Sequence, residues 1–141
     1  MEPSSPKDRL LEEASVFLRG QWGEIEPDTC MICGSGWGPL ADDLPGARCL
    51  PYEKIPGMSA TTIAGHSGQL HLCKMGDSQT LIFQGRRHFY EGDGWDPIRF
   101  PILLAHRLGV KNLLLTNAAG GIRSSFEVGD MMVLSDHLNF M

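Results

Sequence analysis

Three apolar runs in this chain each end in glycine, and that pattern limits the possible folds more than any other feature. Thr29 to Cys33 runs into Gly34-Ser35-Gly36-Trp37-Gly38-Pro39. Thr80-Leu81-Ile82-Phe83 runs into Gln84-Gly85-Arg86-Arg87-His88-Phe89-Tyr90-Glu91-Gly92, and Lys111 to Thr116 into Asn117-Ala118-Ala119-Gly120-Gly121. Short β-rich apolar runs bounded by glycine read as buried strands. Small residues at a strand's end let backbone approach a ligand closely. In α/β folds such ends also carry the chemistry, because a rigid sheet edge aims loop residues into a crevice.

The intervening chain supplies helices and a hairpin. Pro6 to Arg19 places Leu10, Leu11, Ala14, Phe17 and Leu18 at helical spacing, with Gly20 as the expected stop. Leu40 to Leu44 reads as the start of a short helix, and Arg48 to Tyr52 as a short strand. Gln69 to Met75 and Thr80 to Gln84 flank Gly76-Asp77-Ser78, a hairpin turn. Asp96-Pro97 signals a helix start with Asp96 as cap, Pro101 lies inside that helix, and Gly109 closes it. Met131 to Leu134 is expected to form a last strand. Strands alternating with helices, plus one hairpin, give an α/β fold: a mixed central β-sheet flanked by helices.

Charge narrows the partners. The net charge of −5 argues against general nucleic-acid or membrane-surface binding, so an anion site has to come from local groups such as Arg86, Arg87 and His88. No apolar run approaches the roughly 20 residues of a membrane span. Met1 to Pro6 lacks the charged-then-apolar pattern of a signal peptide, and a cytoplasmic location is expected. Cys30 and Cys33 have the spacing of a redox or zinc pair, but within a strand positions three apart face opposite ways. The cysteines read as small buried apolar residues.

Arginine offers a fixed fork of donors matched to phosphate or carboxylate, and histidine adds a donor of tunable charge. The motif from Gln84 to Gly92 therefore reads as an anion site, with a solvated basic turn as the plain alternative. Strand, glycine loop and helix start at Cys33 to Leu40 present backbone N–H groups to an anion, and Ser35 can add a hydroxyl. A dinucleotide site would want a third glycine where Pro39 stands. His71, inside a strand, reads as structural, whereas His66 in Gly65-His66-Ser67-Gly68 is open to a role. Asp136 and His137, adjacent in an extended chain, face opposite ways and make a poor acid–base pair.

Taken together, Ile32-Cys33-Gly34-Ser35-Gly36, the Gln84 to Gly92 motif and Thr116-Asn117-Ala118-Ala119-Gly120-Gly121 resemble the trimeric purine nucleoside phosphorylase family. Gly65-His66-Ser67-Gly68 and Phe126-Glu127-Val128-Gly129-Asp130 match in order and spacing. The resemblance implies reversible phosphorolysis of a purine nucleoside to free base and ribose 1-phosphate. Inorganic phosphate is then the co-substrate, no metal or organic cofactor is needed, and a homotrimer is expected. It implies that Ser35, His66, Arg86, His88 and the Ala118 backbone hold phosphate, with Ser35, Arg86 and His88 carrying the catalysis. Tyr90 would contact ribose, and Ala118, Ala119 and Gly120 the base. Arg87 stands where the family commonly has an aromatic residue; it either faces solvent, the preferred reading, or strengthens phosphate binding. Family members continue into a second half that holds most of the base site; here that half is lacking, which predicts an exposed apolar patch, oligomerisation or poor solubility. A non-catalytic phosphate-binding module that keeps the same loops is the alternative from another class.

Overall fold

The computed structural model describes residues 5–59 and 68–140. Helix α1 (Pro6–Trp22) starts where the sequence allows it. The Ser5 hydroxyl accepts the Asp8 N–H at 3.1 Å, the Asp8 carboxylate accepts the Ser5 N–H at 3.2 Å, and Pro6 takes the first helical position. The helix passes Gly20, the expected stop, and ends at Gly23, which adopts φ +77°. Trp22 is buried at 7% exposure, and the core contact it gains outweighs the modest cost of one helical glycine.

One mixed sheet of five strands forms the centre, in the order β2-β3-β4-β1-β5. Its strands are β1 (Thr29–Cys33), β2 (Arg48–Pro51), β3 (Gln69–Met75), β4 (Ser78–Gln84) and β5 (Asn112–Leu115). Strand β1 runs parallel to both β4 and β5, while β3 is antiparallel to β2 and β4. The β3–β4 hairpin turns at Gly76, whose φ of +63° is the left-handed conformation such a turn needs.

Alternation along the strands sorts the apolar side chains onto two faces. Cys30, Ile32, Leu70, Leu72, Leu81 and Phe83 pack with α1 and with α3 (Asp96–Arg107). Met31, Cys33, Cys73 and Ile82 pack on the other face, under Ala41 of the short α2 (Pro39–Asp42) and its neighbours Trp37 and Leu40. Cys30 and Cys33 thus lie on opposite faces, as strand geometry requires. Trp95 rather than Asp96 occupies the capping position of α3, and Asp96 is its first residue, ion-paired to Lys7 of α1 at 2.8 Å. Pro101 sits inside α3 and is buried.

Two stretches depart from expectation. Met131 to Leu134 forms no strand: the segment from Asn117 to Phe140 is exposed throughout, and no described strand lies beside it to supply ladder hydrogen bonds. In β5, Leu113, Leu114 and Leu115 are 44–57% exposed, although a continuous apolar run suits a strand covered on both faces. Exposed apolar side chains therefore lie on β5 and continue beyond it, at Ile122, Val128, Met131 to Leu134 and Leu138.

Two glycines should respond oppositely to a methyl group. A Cβ at Gly34 would lie 2.2 Å from the Thr116 carbonyl oxygen, whereas one at Gly20 meets nothing within 4 Å. In urea titrations Gly34→Ala should lower the unfolding free energy by about 1–3 kcal/mol, and Gly20→Ala should raise it by about 0.5–1 kcal/mol. An unchanged Gly34→Ala midpoint would contradict the close approach.

Candidate functional site

Because β1, β4 and β5 are parallel, their carboxyl ends share one edge of the sheet, and the three glycine junctions emerge there side by side. Hydrogen bonds lock them in place. The Gly34 N–H donates to Thr116 Oγ1 at 2.9 Å, and the Thr116 N–H to the Ile32 carbonyl at 3.2 Å. Arg86 reaches across from the β4 junction and donates through Nη1 to the Thr116 carbonyl at 2.8 Å. The Tyr52 hydroxyl, buried behind the sheet edge, donates to the Gly85 carbonyl at 2.8 Å. Its burial raises the phenol pKa, so the hydroxyl keeps its proton for that bond.

Gln84 ties the first junction to the second. Its Nε2 donates to the Gly38 carbonyl at 2.7 Å and to Asp42 Oδ1 at 3.1 Å. With the amide nitrogen so assigned, Oε1 is the acceptor, and His71 Nε2 donates to it at 3.0 Å. His71 is thus the satisfied structural histidine its strand position implied.

The helical turn Phe89–Glu91 follows the β4 junction. The Glu91 carboxylate accepts the His88 backbone N–H at 2.6 Å and lies 3.3 Å from His88 Nδ1. The His88 ring stacks on Tyr90 with centroids 4.9 Å apart, and Tyr90 is otherwise exposed. Arg87 does not face solvent as expected. Its side chain is 11% exposed and pairs with Glu91 at 3.2 Å and with Asp93. Two carboxylates within reach of one guanidinium draw it inward.

Ser35 is exposed on the β1 junction, beside the turn that Gly36 closes at φ +85°. Ala118, Ala119 and Gly120 are exposed beyond β5, where Asn117 Nδ2 donates to the Ala118 carbonyl at 3.1 Å. His66 lies outside the described residues. Gly68, two residues later, is buried at the same edge and donates its N–H to the Gln84 carbonyl at 3.1 Å. Asp136 and His137 form no side-chain pair: the Asp136 carboxylate accepts its neighbour's backbone N–H at 2.8 Å.

The edge therefore gathers Ser35, Arg86, His88, Tyr90 and Ala118 on loops braced by Gln84, Thr116, Tyr52 and Glu91. Gln84, Glu91 and Thr116 stand in the sequence motifs, but the sequence assigned none of these four residues a bracing role. Gln84 alone carried a signal, as a polar residue closing an otherwise apolar strand.

Parallel strands whose end loops bring an arginine and a histidine to one edge define an α/β protein with its polar loops at the carboxyl ends of the sheet. Residues 28–141 match the phosphorylase superfamily, and the chain belongs to that family. Among its relatives are purine nucleoside phosphorylases: that of Geobacillus stearothermophilus is 42% identical over 131 residues, covering 93% of this chain and 47% of the relative. The mouse enzyme is 41% identical over 119 residues, covering 84% of this chain and 41% of its own length. A solved structure of isoform 2 from Schistosoma mansoni, in complex with cytosine and ribose-1-phosphate, superposes with a TM-score of 0.75 at 38% identity. That match covers 86% of this chain and 42% of the other. The chain thus spans about half the length of the relatives it matches.

The cysteines offer a check on burial near this edge. Burial pushes the Cys30 thiol up to about 12 and raises those of Cys33 and Cys73; Cys49, exposed on β2, is also raised, by partial burial and then by Asp42. A raised thiol pKa leaves little thiolate at neutral pH, so alkylation should be slow there and keep accelerating as pH rises above the ordinary thiol range. Mass spectrometry of the native protein should find Cys49 alkylated first and the other three only after denaturation. Early labelling of Cys30 would contradict the packing of β1.

Proposed function

We propose that this chain supplies the phosphate- and ribose-holding part of a purine nucleoside phosphorylase. The observation that carries the reading is the shared edge: three parallel strands end in Gly-Ser-Gly, Gly-Arg-Arg-His and Asn-Ala-Ala-Gly, and Arg86 bridges the second to the third. The ribose-1-phosphate held by the Schistosoma structure is the product such a site would release. In this reading Ser35, Arg86, His88 and the Ala118 backbone hold phosphate, His66 assists, Tyr90 packs on ribose, and Ala118 to Gly120 border the base.

Ribosyl transfer passes through a cation-like sugar. A phosphate dianion held against it serves as nucleophile and as electrostatic stabiliser, so the site needs fixed charge-assisted donors more than a strong base. No metal is required for that role. The purine leaving group needs its own stabilisation in the transition state, and the half of the relatives beyond the matched region is where this reading places it. The complete protein is then a cytoplasmic homo-oligomer, a trimer by family, acting in purine salvage.

The test has two arms. Inorganic phosphate should bind the chain, and Arg86→Ala should weaken that binding by about 1.5–3 kcal/mol, the worth of a charge-assisted hydrogen bond. Phosphate-dependent release of hypoxanthine from inosine, lost in Arg86→Ala, establishes the phosphorylase. Phosphate binding without release from the complete protein would favour a non-catalytic phosphate-binding module, and unchanged affinity in Arg86→Ala would remove Arg86 from the site.

A further inference from the structure

We propose that Arg87 is a positioning residue for His88, acting through Glu91, with Asp93 holding the far end of its guanidinium. The inference rests on the reading of His88 as a phosphate-site residue and adds a residue which that reading leaves without a role.

The Glu91 side chain is only 7% exposed although it carries a carboxylate. A buried carboxylate is costly unless its oxygens are matched. Here the two oxygens divide the work. Oε1 accepts the His88 backbone N–H at 2.6 Å and faces His88 Nδ1 at 3.3 Å, while Oε2 lies 3.2 Å from Arg87 Nε. The Arg87 Nη2 end pairs with Asp93, whose side chain is 53% exposed. The Arg87 guanidinium lies between the Glu91 and Asp93 carboxylates, and its charge attracts Glu91 Oε2 to its own side. With Oε2 turned toward Arg87, Oε1 is left directed at His88.

That contact decides which ring nitrogen carries a proton. A carboxylate only accepts, so the nitrogen facing it, Nδ1, is the donor. Nε2 is then the nitrogen through which the ring meets phosphate, donating there when both nitrogens are protonated. Tyr90, stacked on the ring at 4.9 Å, limits its tilt but not its flip, and the Glu91 contact selects between the two flips. The residue that touches the ligand in this scheme is His88; Arg87 orients it at one remove.

The experiment reads His88 directly, by two-bond proton–nitrogen NMR of the full chain, alongside inorganic phosphate binding by calorimetry. The wild type should show His88 protonated at Nδ1. Arg87→Met should mix the ring's tautomers or flips and weaken phosphate binding about ten-fold, the low end of what losing a supporting partner does to a liganding histidine. Arg87→Lys, which keeps a charge beside Glu91, should recover part of both. Asp93→Asn alters only the exposed end of the fork and should shift the His88 signals in the same direction by less, which covers the case in which Arg87→Met fails to fold. His88 signals unmoved in Asp93→Asn and in a folded Arg87→Met would overturn the proposal. A wild type that binds no phosphate would overturn the phosphate site instead, while the His88 signals still judge the positioning. Displaced His88 signals with unchanged phosphate affinity would uphold the positioning and remove His88 from the phosphate site.

Discussion

The structure depends on the absence of a side chain at Gly34. Where its Cβ would stand, 2.2 Å away, is the Thr116 carbonyl oxygen, so the junctions after β1 and β5 can touch only because position 34 is glycine. That approach lets the Gly34 N–H reach Thr116 Oγ1 and turns the Thr116 carbonyl toward Arg86. One backbone contact thus positions all three loops. Parallel pairing supplies the rest, since β4, β1 and β5 must deliver their carboxyl ends to the same edge.

The loops are held from behind by groups that take no part in the proposed chemistry. Gln84 joins Gly38, Asp42 and His71, and Tyr52 satisfies the Gly85 carbonyl. A buried polar network is worth its desolvation only when its members are matched, and a matched one is stiff. Rigidity of this kind is what a site made of positioned donors needs, because most of its catalytic power comes from donors already in place.

Much of this was legible in the sequence for local reasons. The three strands could be read because each is a short apolar run closed by glycine, and Cys30 and Cys33 could be assigned to opposite faces from the period of a strand. What failed depended on tertiary context. Gly20 looked like a helix stop, yet Trp22 had core to fill. Met131 to Leu134 had a strand's composition but no partner to pair with. Arg87 looked like a solvated charge because the carboxylates of Glu91 and Asp93 meet it only once the turn at Phe89–Glu91 has formed. Thr116 and Tyr52 gave no local hint, since their partners lie 82 and 33 residues away. Leu113 to Leu115 have the pattern of a covered strand and stand uncovered, which agrees with a chain spanning about half the length of its relatives.

If three strand-end loops make one phosphate site, a titration with inorganic phosphate followed through backbone amide NMR will show it. Amides in 34–36, 85–88 and 118–120 should shift together and saturate with one dissociation constant. Shifts confined to a single loop, or differing constants for the three, would contradict it.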